Sequence, residues 1–328
     1  MKIKFTVNLD KMKNFWLELP KPIFCLAPMA DVTDCVFRQI IARFGKPDVF
    51  WTEFVSADGL AHPEARKKLL IDLKYSESER PIVAQIFGSN LENIREAAKL
   101  CKKLGFDGID INMGCPDRSI ERQGAGAATI KNPELALKIV EAAREGAVGL
   151  PVFVKTRIGY NKIDLTWLEH LLKTNLPALI IHLRTRKEMS NVPAHWDLMK
   201  DIIALRDKWS PETLIIGNGD VKDLKEAKEK VKKFGCDGIM LGRGIFGNPW
   251  LFSGHVPMIE EKLKVMIEHT KLFEKLLGKH KNFAIMKKHY KAYVNGFDGA
   301  KELRMKLMDA ENAKEIEKIT RDFLNKIE

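Results

Sequence analysis

Short apolar runs alternate with longer amphipathic stretches over most of this chain. The runs fall at 23–27, 49–54, 82–87, 108–112, 152–155, 178–182, 214–217 and 238–241, and most carry β-branched residues. None shows the polar alternation of a half-exposed sheet, so each predicts a strand buried on both faces. Between them, 92–104, 133–144, 165–173 and 223–234 carry apolar residues at helical spacing. Thr33, Ser89 and Asn132, the last just before Pro133, are the residues that would cap the helices following them.

Eight strand–helix units predict a TIM (β/α)8 barrel spanning 21–252. A doubly wound open sheet is the alternative, and it would carry a glycine-rich phosphate loop after its first strand. Here that strand runs into Pro28-Met29-Ala30, which is no such loop. After about Phe252 no strand pattern remains. Residues 256–328 therefore predict a smaller, C-terminal all-helical domain, with residues 1–20 left as an N-terminal extension of no assigned role.

In a barrel the C-terminal ends of the strands form the reactive face. Polar or glycine-rich residues gather there strand after strand: Gln85, Asn112 to Cys115, Lys155, His182, Asn218-Gly219-Asp220 and Gly242-Arg243-Gly244. Cys115 precedes a glycine-rich loop, Gly124-Ala125-Gly126. A lone cysteine is often a small buried hydrophobe, but on this rim a protonated thiol can act as a general acid. Lys155 would be an unusual structural residue in a barrel strand, and its cation can stabilise developing negative charge. His182 reads either as a satisfied core histidine or as a group beside a ligand. Gln85 reads either as a loop cap or as a partner for a flat heterocycle. The two glycine motifs after strands seven and eight stand where barrels bind phosphate.

The net charge of +11 suits a polyanionic partner, although charge alone fits a basic, well-solvated surface equally. Lys287, Lys288 and Lys291 would share one side of a C-terminal helix. Five scattered cysteines without a C-x-x-C pair point to a reducing cytoplasm, with no disulfide framework and no metal site. The N-terminus lacks the apolar core of a signal peptide, and no run has membrane-spanning length.

At these residues the chain resembles the tRNA-dihydrouridine synthase family. The motifs are L-A-P-M-A-D-V-T-D at 26–34, D-I-N-M-G-C-P at 110–116, G-A-G-A-A at 124–128 and K-T-R at 155–157. H-L-R-T-R at 182–186, N-G-D at 218–220 and G-R-G at 242–244 extend the likeness, as do M-K-K-H-Y-K at 286–291 and G-A-K-E-L-R at 299–304. The resemblance implies an FMN enzyme that reduces the C5=C6 bond of uridines in tRNA with NADPH or NADH.

It also implies roles for residues. Pro28, Met29 and Ala30 would line the flavin, Gln85 and Lys155 would bond its polar edge, and His182 would lie beside ring and base. Asn218, Gly219, Asp220, Gly242 and Arg243 would hold the ribityl chain and phosphate. Cys115 would protonate C5. Asn112 and Arg184 would contact the uracil or its phosphate, and Lys287, Lys288, Lys291 and Arg304 the tRNA backbone. Leu183 and Asp31 stand where the family commonly has glycine, which bears on substrate fit more than on chemistry. A flavin barrel acting on a free pyrimidine, and a tRNA-binding protein without catalysis, are the competing readings. The basic C-terminal helices argue against the first and the intact Cys115 and Lys155 against the second.

Overall fold

The computed structural model describes residues 14–327. Strands β1 (Ile23–Leu26), β2 (Phe50–Trp51), β3 (Val55–Ser56), β4 (Ile82–Phe87) and β5 (Gly108–Met113) are followed by β6 (Val152–Arg157), β7 (Ala178–His182), β8 (Leu214–Asn218) and β9 (Gly238–Leu241). All pair in parallel, in the order β1-β9-β8-β7-β6-β5-β4-β2, with β3 also on β4. A single bridge between Cys25 and Val49 brings β1 to β2 and completes the barrel. The eight barrel positions are the eight apolar runs, with the second position split in two.

That split has a local cause. The run 49–54 predicts one strand, but the Thr52 hydroxyl accepts the Gln85 N–H at 3.2 Å, replacing a backbone carbonyl in the ladder. Pairing resumes only at Val55. Two predicted caps also move by one residue. Asp34, not Thr33, opens helix Cys35–Phe44 by accepting from the N–H groups of Val36 and Phe37, both at 2.9 Å. Thr33 instead accepts the Met29 N–H at 2.9 Å. Asn90, not Ser89, caps helix Leu91–Lys103, while the Ser89 hydroxyl donates to the Gln123 carbonyl. A carboxylate or amide reaches the free helix N–H groups as a hydroxyl would, and here the adjacent hydroxyls are already bonded elsewhere. Asn132 caps helix Pro133–Gly146 as its sequence suggests.

Inside the barrel, inward residues are apolar at the floor and polar at the mouth. The floor is closed by the short helix Phe15–Leu17, in the stretch left without a role by its sequence. Trp16 is buried, stacks on Phe15 at 4.9 Å and meets the edge of Phe153 at 5.2 Å and Trp51 at 6.2 Å. Gly108 makes room: a Cβ there would stand 3.0 Å from the Phe153 ring and 3.1 Å from Phe15.

After β9 the chain forms helices Ile259–Leu277, Met286–Tyr293, Ala300–Asp309 and Ala313–Ile327. Their buried Leu263, Phe273, Met286 and Tyr290 join one continuous core with Phe37 and Ile40 of the barrel helix Cys35–Phe44. Phe37 stacks on His269 at 4.8 Å and takes His289 edge-on at 4.8 Å. Burial lowers the pKa of both imidazoles, so they sit in this apolar joint uncharged. Among the described residues no helix is long and apolar enough to cross a membrane.

Trp16→Ala removes the floor and should cost about 3–5 kcal/mol of stability, as large-to-small core changes do. Urea unfolding measures it; a loss below about 1 kcal/mol, the size of a surface change, would show that the floor is not part of the core.

Candidate active site

The side chains singled out at the strand ends meet at one mouth of the barrel, in two adjoining groups. The first lines a cleft of about 670 Å³. Ala27, Pro28 and Met29 form its apolar wall, and Lys155, His182 and Asn218 project into it from β6, β7 and β8. Gly219, Asp220, Gly242, Arg243, Lys222 and Arg184 line its other end. The volume is in the range of small-molecule sites.

The second group is a hydrogen-bonded chain beside that cleft. Asp110 Oδ2 accepts from Trp51 Nε1 at 2.8 Å and from Gln85 Nε2 at 2.7 Å. Gln85 Oε1 then accepts from Asn112 Nδ2 at 2.9 Å. Asn112 Oδ1 accepts the N–H of Gly114 at 3.1 Å and of Cys115 at 2.9 Å. Arg157 Nε donates to the Gly114 carbonyl at 2.8 Å, so the backbone bearing the thiol is held from both sides. The amides of Gln85 and Asn112 are therefore committed within the protein, and neither they nor Cys115 line the cleft. Ala30 lies exposed on its loop.

Burial sets the protonation of this mouth. It raises the Cys115 thiol above its ordinary range, against the lowering by the Asp117 backbone N–H, so the sulfur carries its proton at neutrality. It pushes Asp110 up and Lys155 down, each moderated by the charge of the other. Arg157 is lowered to about 10 by burial and still remains cationic at neutrality. Burial, then the charges of Arg157, Lys155, Arg184 and Arg243, hold His182 well below the usual imidazole range. Its neutral ring accepts from Arg184 Nη1 through Nε2 at 3.3 Å, which leaves the proton on Nδ1.

Asp220 and Arg184 are spent largely on the protein itself. Burial works to raise Asp220, but donation from Arg184 and the Ala194 N–H, with Arg243 nearby, brings it below the ordinary carboxylate range. Its other oxygen accepts from Arg243 Nη2 at 2.8 Å. Arg184 also donates from Nε to the Val192 carbonyl at 2.5 Å. Asp220 (φ 49) turns through the left-handed region, as does Gly219 (φ 131), where a Cβ would meet that of Ala194 at 2.8 Å. Leu183 is fully buried in the packing outside β7.

Away from the mouth, Lys288 and Lys291 are exposed and Lys287 is half-buried. Arg304 donates from Nη1 to the Val294 carbonyl at 2.7 Å, closing the end of helix Met286–Tyr293. Sequence reasoning assigned nothing to Trp51, Asp110 or Arg157. One of the three had a readable signal: Asp110 is a charged residue inside an otherwise apolar strand run, and such residues are rarely idle.

Comparison with known proteins agrees with this geometry. A family model described as Dihydrouridine synthase (Dus) matches residues 25–328. The chain is 43% identical over 316 residues to a probable tRNA-dihydrouridine synthase of Staphylococcus aureus (strain MRSA252), covering 95% of this chain and 96% of the relative. It is 42% identical over 319 residues to probable tRNA-dihydrouridine synthase 2 of Bacillus subtilis (strain 168), covering 96% and 98%. Two solved structures share the fold alone, and the chain spans about half their length. A 2-naphthoyl-CoA reductase in complex with 2-naphthoyl-CoA has TM-score 0.52 at 9% identity, over 70% of this chain and 49% of that one. A 6-hydroxypseudooxynicotine amine oxidase from Pseudomonas geniculata N1 has TM-score 0.51 at 11% identity, over 70% and 46%. With a family match across nearly its whole length, the chain is an oxidoreductase that belongs to the dihydrouridine synthase family.

Proposed function

We propose that the protein reduces the C5=C6 bond of a uridine in tRNA to 5,6-dihydrouridine, with FMN in the cleft and NADPH or NADH as reductant. The observation that carries this reading is a thiol, Cys115, fixed through its backbone beside a cation-lined cleft.

The cleft's residues fit FMN. At one end lie Arg243 and Lys222 with the open backbone of Gly219 and Gly242. A Cβ on Gly242 would project toward Ala27 (3.6 Å) and Met29 (3.9 Å), so glycine keeps this end clear. Cations and glycine N–H groups suit a phosphate. The Asp220 carboxylate would repel one, so it serves at one remove, by aiming Arg184 and Arg243. Pro28 and Met29 offer an apolar wall to a flat ring, and Lys155 offers its cation to the ring's polar edge. When bound there, FMN would supply two-electron hydride chemistry between a nicotinamide and C6 of the uracil.

The chain supplies the rest. Cys115 transfers its thiol proton to C5, so that one hydride and one proton together saturate the double bond. Asn112 and Arg157 keep the thiol's loop in place during that transfer. His182, neutral and with Nε2 engaged by Arg184, presents an uncharged edge beside ring and base. The cations at the mouth draw in the RNA backbone, and the uridine leaves its stack to reach them. Lys287, Lys288 and Lys291, with the remaining donors of Arg304, grip phosphates farther away.

Four outcomes test this. Replacing Gly242 with leucine should give colourless protein, because the side chain fills the cofactor's end of the cleft; full flavin content in that variant would place the cofactor elsewhere. Cys115→Ala should leave flavin reduction by NADPH nearly intact while slowing reoxidation by tRNA by about two to four orders of magnitude, the worth of a positioned acid. Since burial raises the thiol's pKa, the parent's tRNA step should hold its rate up to about pH 8.5, the ordinary thiol value, and decline only above it. A decline centred below that value would assign the proton to another group. Neutralising Lys287, Lys288 and Lys291 together should weaken tRNA binding and flatten its salt dependence with FMN content unchanged. Binding curves that overlay the parent's across a salt series would move the grip to the barrel rim.

A further inference from the structure

Lys281 follows the first C-terminal helix, yet its side chain ends on the barrel. Its Nζ lies 2.8 Å from Glu53 Oε2, 2.8 Å from Asp72 and 3.9 Å from Asp31. Its charge also reaches Asp34, the cap of helix Cys35–Phe44. Lys281 and Glu53 are nearly excluded from solvent, at 12% and 6% side-chain exposure. Arg38 is close by but committed: Nε to Glu79, Nη1 to the Thr33 carbonyl and Nη2 to the Lys74 carbonyl, each at 2.6 Å. The carboxylates of Asp31, Glu53 and Asp72 thus converge on one lysine.

Glu53 does more than pair. Its Oε1 accepts the backbone N–H of Asp31 at 2.5 Å. Asp31 lies in the left-handed region (φ 54), which glycine adopts freely and an aspartate at a modest cost, so a bond to its N–H helps hold the turn. The same turn carries Pro28 and Met29, whose faces wall the cleft, and closes with the N–H groups of Val32 and Thr33 on the Met29 carbonyl.

We propose that Lys281 is a positioning residue for the cofactor cleft: by neutralising Glu53 it keeps that carboxylate bonded to the Asp31 N–H, and so makes the Pro28–Met29 wall depend on the docked C-terminal helices. Without Lys281, a carboxylate buried among Asp31, Asp34 and Asp72 has no counter-charge. It would protonate or turn outward, and the Asp31 N–H would lose its side-chain acceptor. The RNA-gripping helices and the flavin wall are then coupled through this buried ion pair as well as through their shared apolar core. This inference rests on FMN occupying the cleft, but its central contact is measurable without that assumption.

The test uses the full-length protein. Lys281→Met should raise the FMN dissociation constant about tenfold, within the usual range of coupling between linked sites. It should also speed amide hydrogen exchange at Asp31. Lys281→Met/Glu53→Gln should recover most of both, because the glutamine oxygen accepts the same N–H without needing a counter-charge. A merely structural lysine would lower the melting temperature and leave FMN affinity and Asp31 exchange at the parent's values, which would overturn the proposal. If Lys281→Met does not fold, Glu53→Ala carries the test: it leaves Lys281 paired with Asp72 and removes only the acceptor for Asp31. Parent-like exchange and affinity in that variant would overturn the proposal equally. A parent protein that binds no FMN would refute the cofactor assignment instead, and exchange at Asp31 would still decide the positioning role.

Discussion

One buried carboxylate ties the floor of this barrel to its reactive rim. Asp110 has no exposure, and through a single oxygen it accepts from Trp51 below and Gln85 beside it. An ionisable group in that position costs several kcal/mol unless partners supply what water would have given. Those partners become fixed in turn. Gln85 can offer its NH2 to Asp110 only with its carbonyl facing Asn112, and Asn112 must then turn its own carbonyl to the Cys115 loop. The orientation of two amides, and the placement of a thiol five residues along the chain, follow from one carboxylate that has nowhere else to go.

Charge at the mouth is arranged on the same economy. Lys155, Arg157, Arg184 and Arg243 surround an imidazole that burial first, and their charges second, keep neutral. Asp220 keeps two of the guanidinium groups at fixed positions without cancelling the others. A cluster of like charges would spread if free to move; here it is held apart by backbone carbonyls and one carboxylate. The resulting field is ready for an anion before the anion arrives, which is what preorganisation means in electrostatic terms.

Much of the barrel is legible in the sequence because burial on both faces leaves a short, wholly apolar signature for each strand. The rim residues are legible because polar side chains interrupt that signature at its ends. Three kinds of feature do not reach the sequence level. The break after Trp51 depends on a hydroxyl 33 residues from the amide it satisfies. The Phe15–Trp16 floor belongs to a segment with no periodicity, and its fit to Gly108 and Phe153 is a matter of space. Lys281 and Glu53 are 228 positions apart, and nothing in the sequence pairs a charge inside the second apolar run with a lysine after the first C-terminal helix. In the site itself, a place at a strand end was readable for Lys155 and His182, and one just past it for Cys115. The pairing of Asp220 with Arg184 and Arg243 was not, because a charged residue that faces a ligand and one that braces another charge look the same in sequence.

The floor made by Phe15 and Trp16 has a kinetic meaning. A barrel stoppered at one end has a single doorway, and everything that meets the cleft must pass through it. Under the chemistry proposed, a dinucleotide and an extruded base would both need the same face of the same ring through that opening. With one doorway and one cleft, the proposed chemistry would have the two visitors take turns, the reductant departing before the nucleic acid settles, so that the closed floor leaves the order of arrivals to the mouth alone.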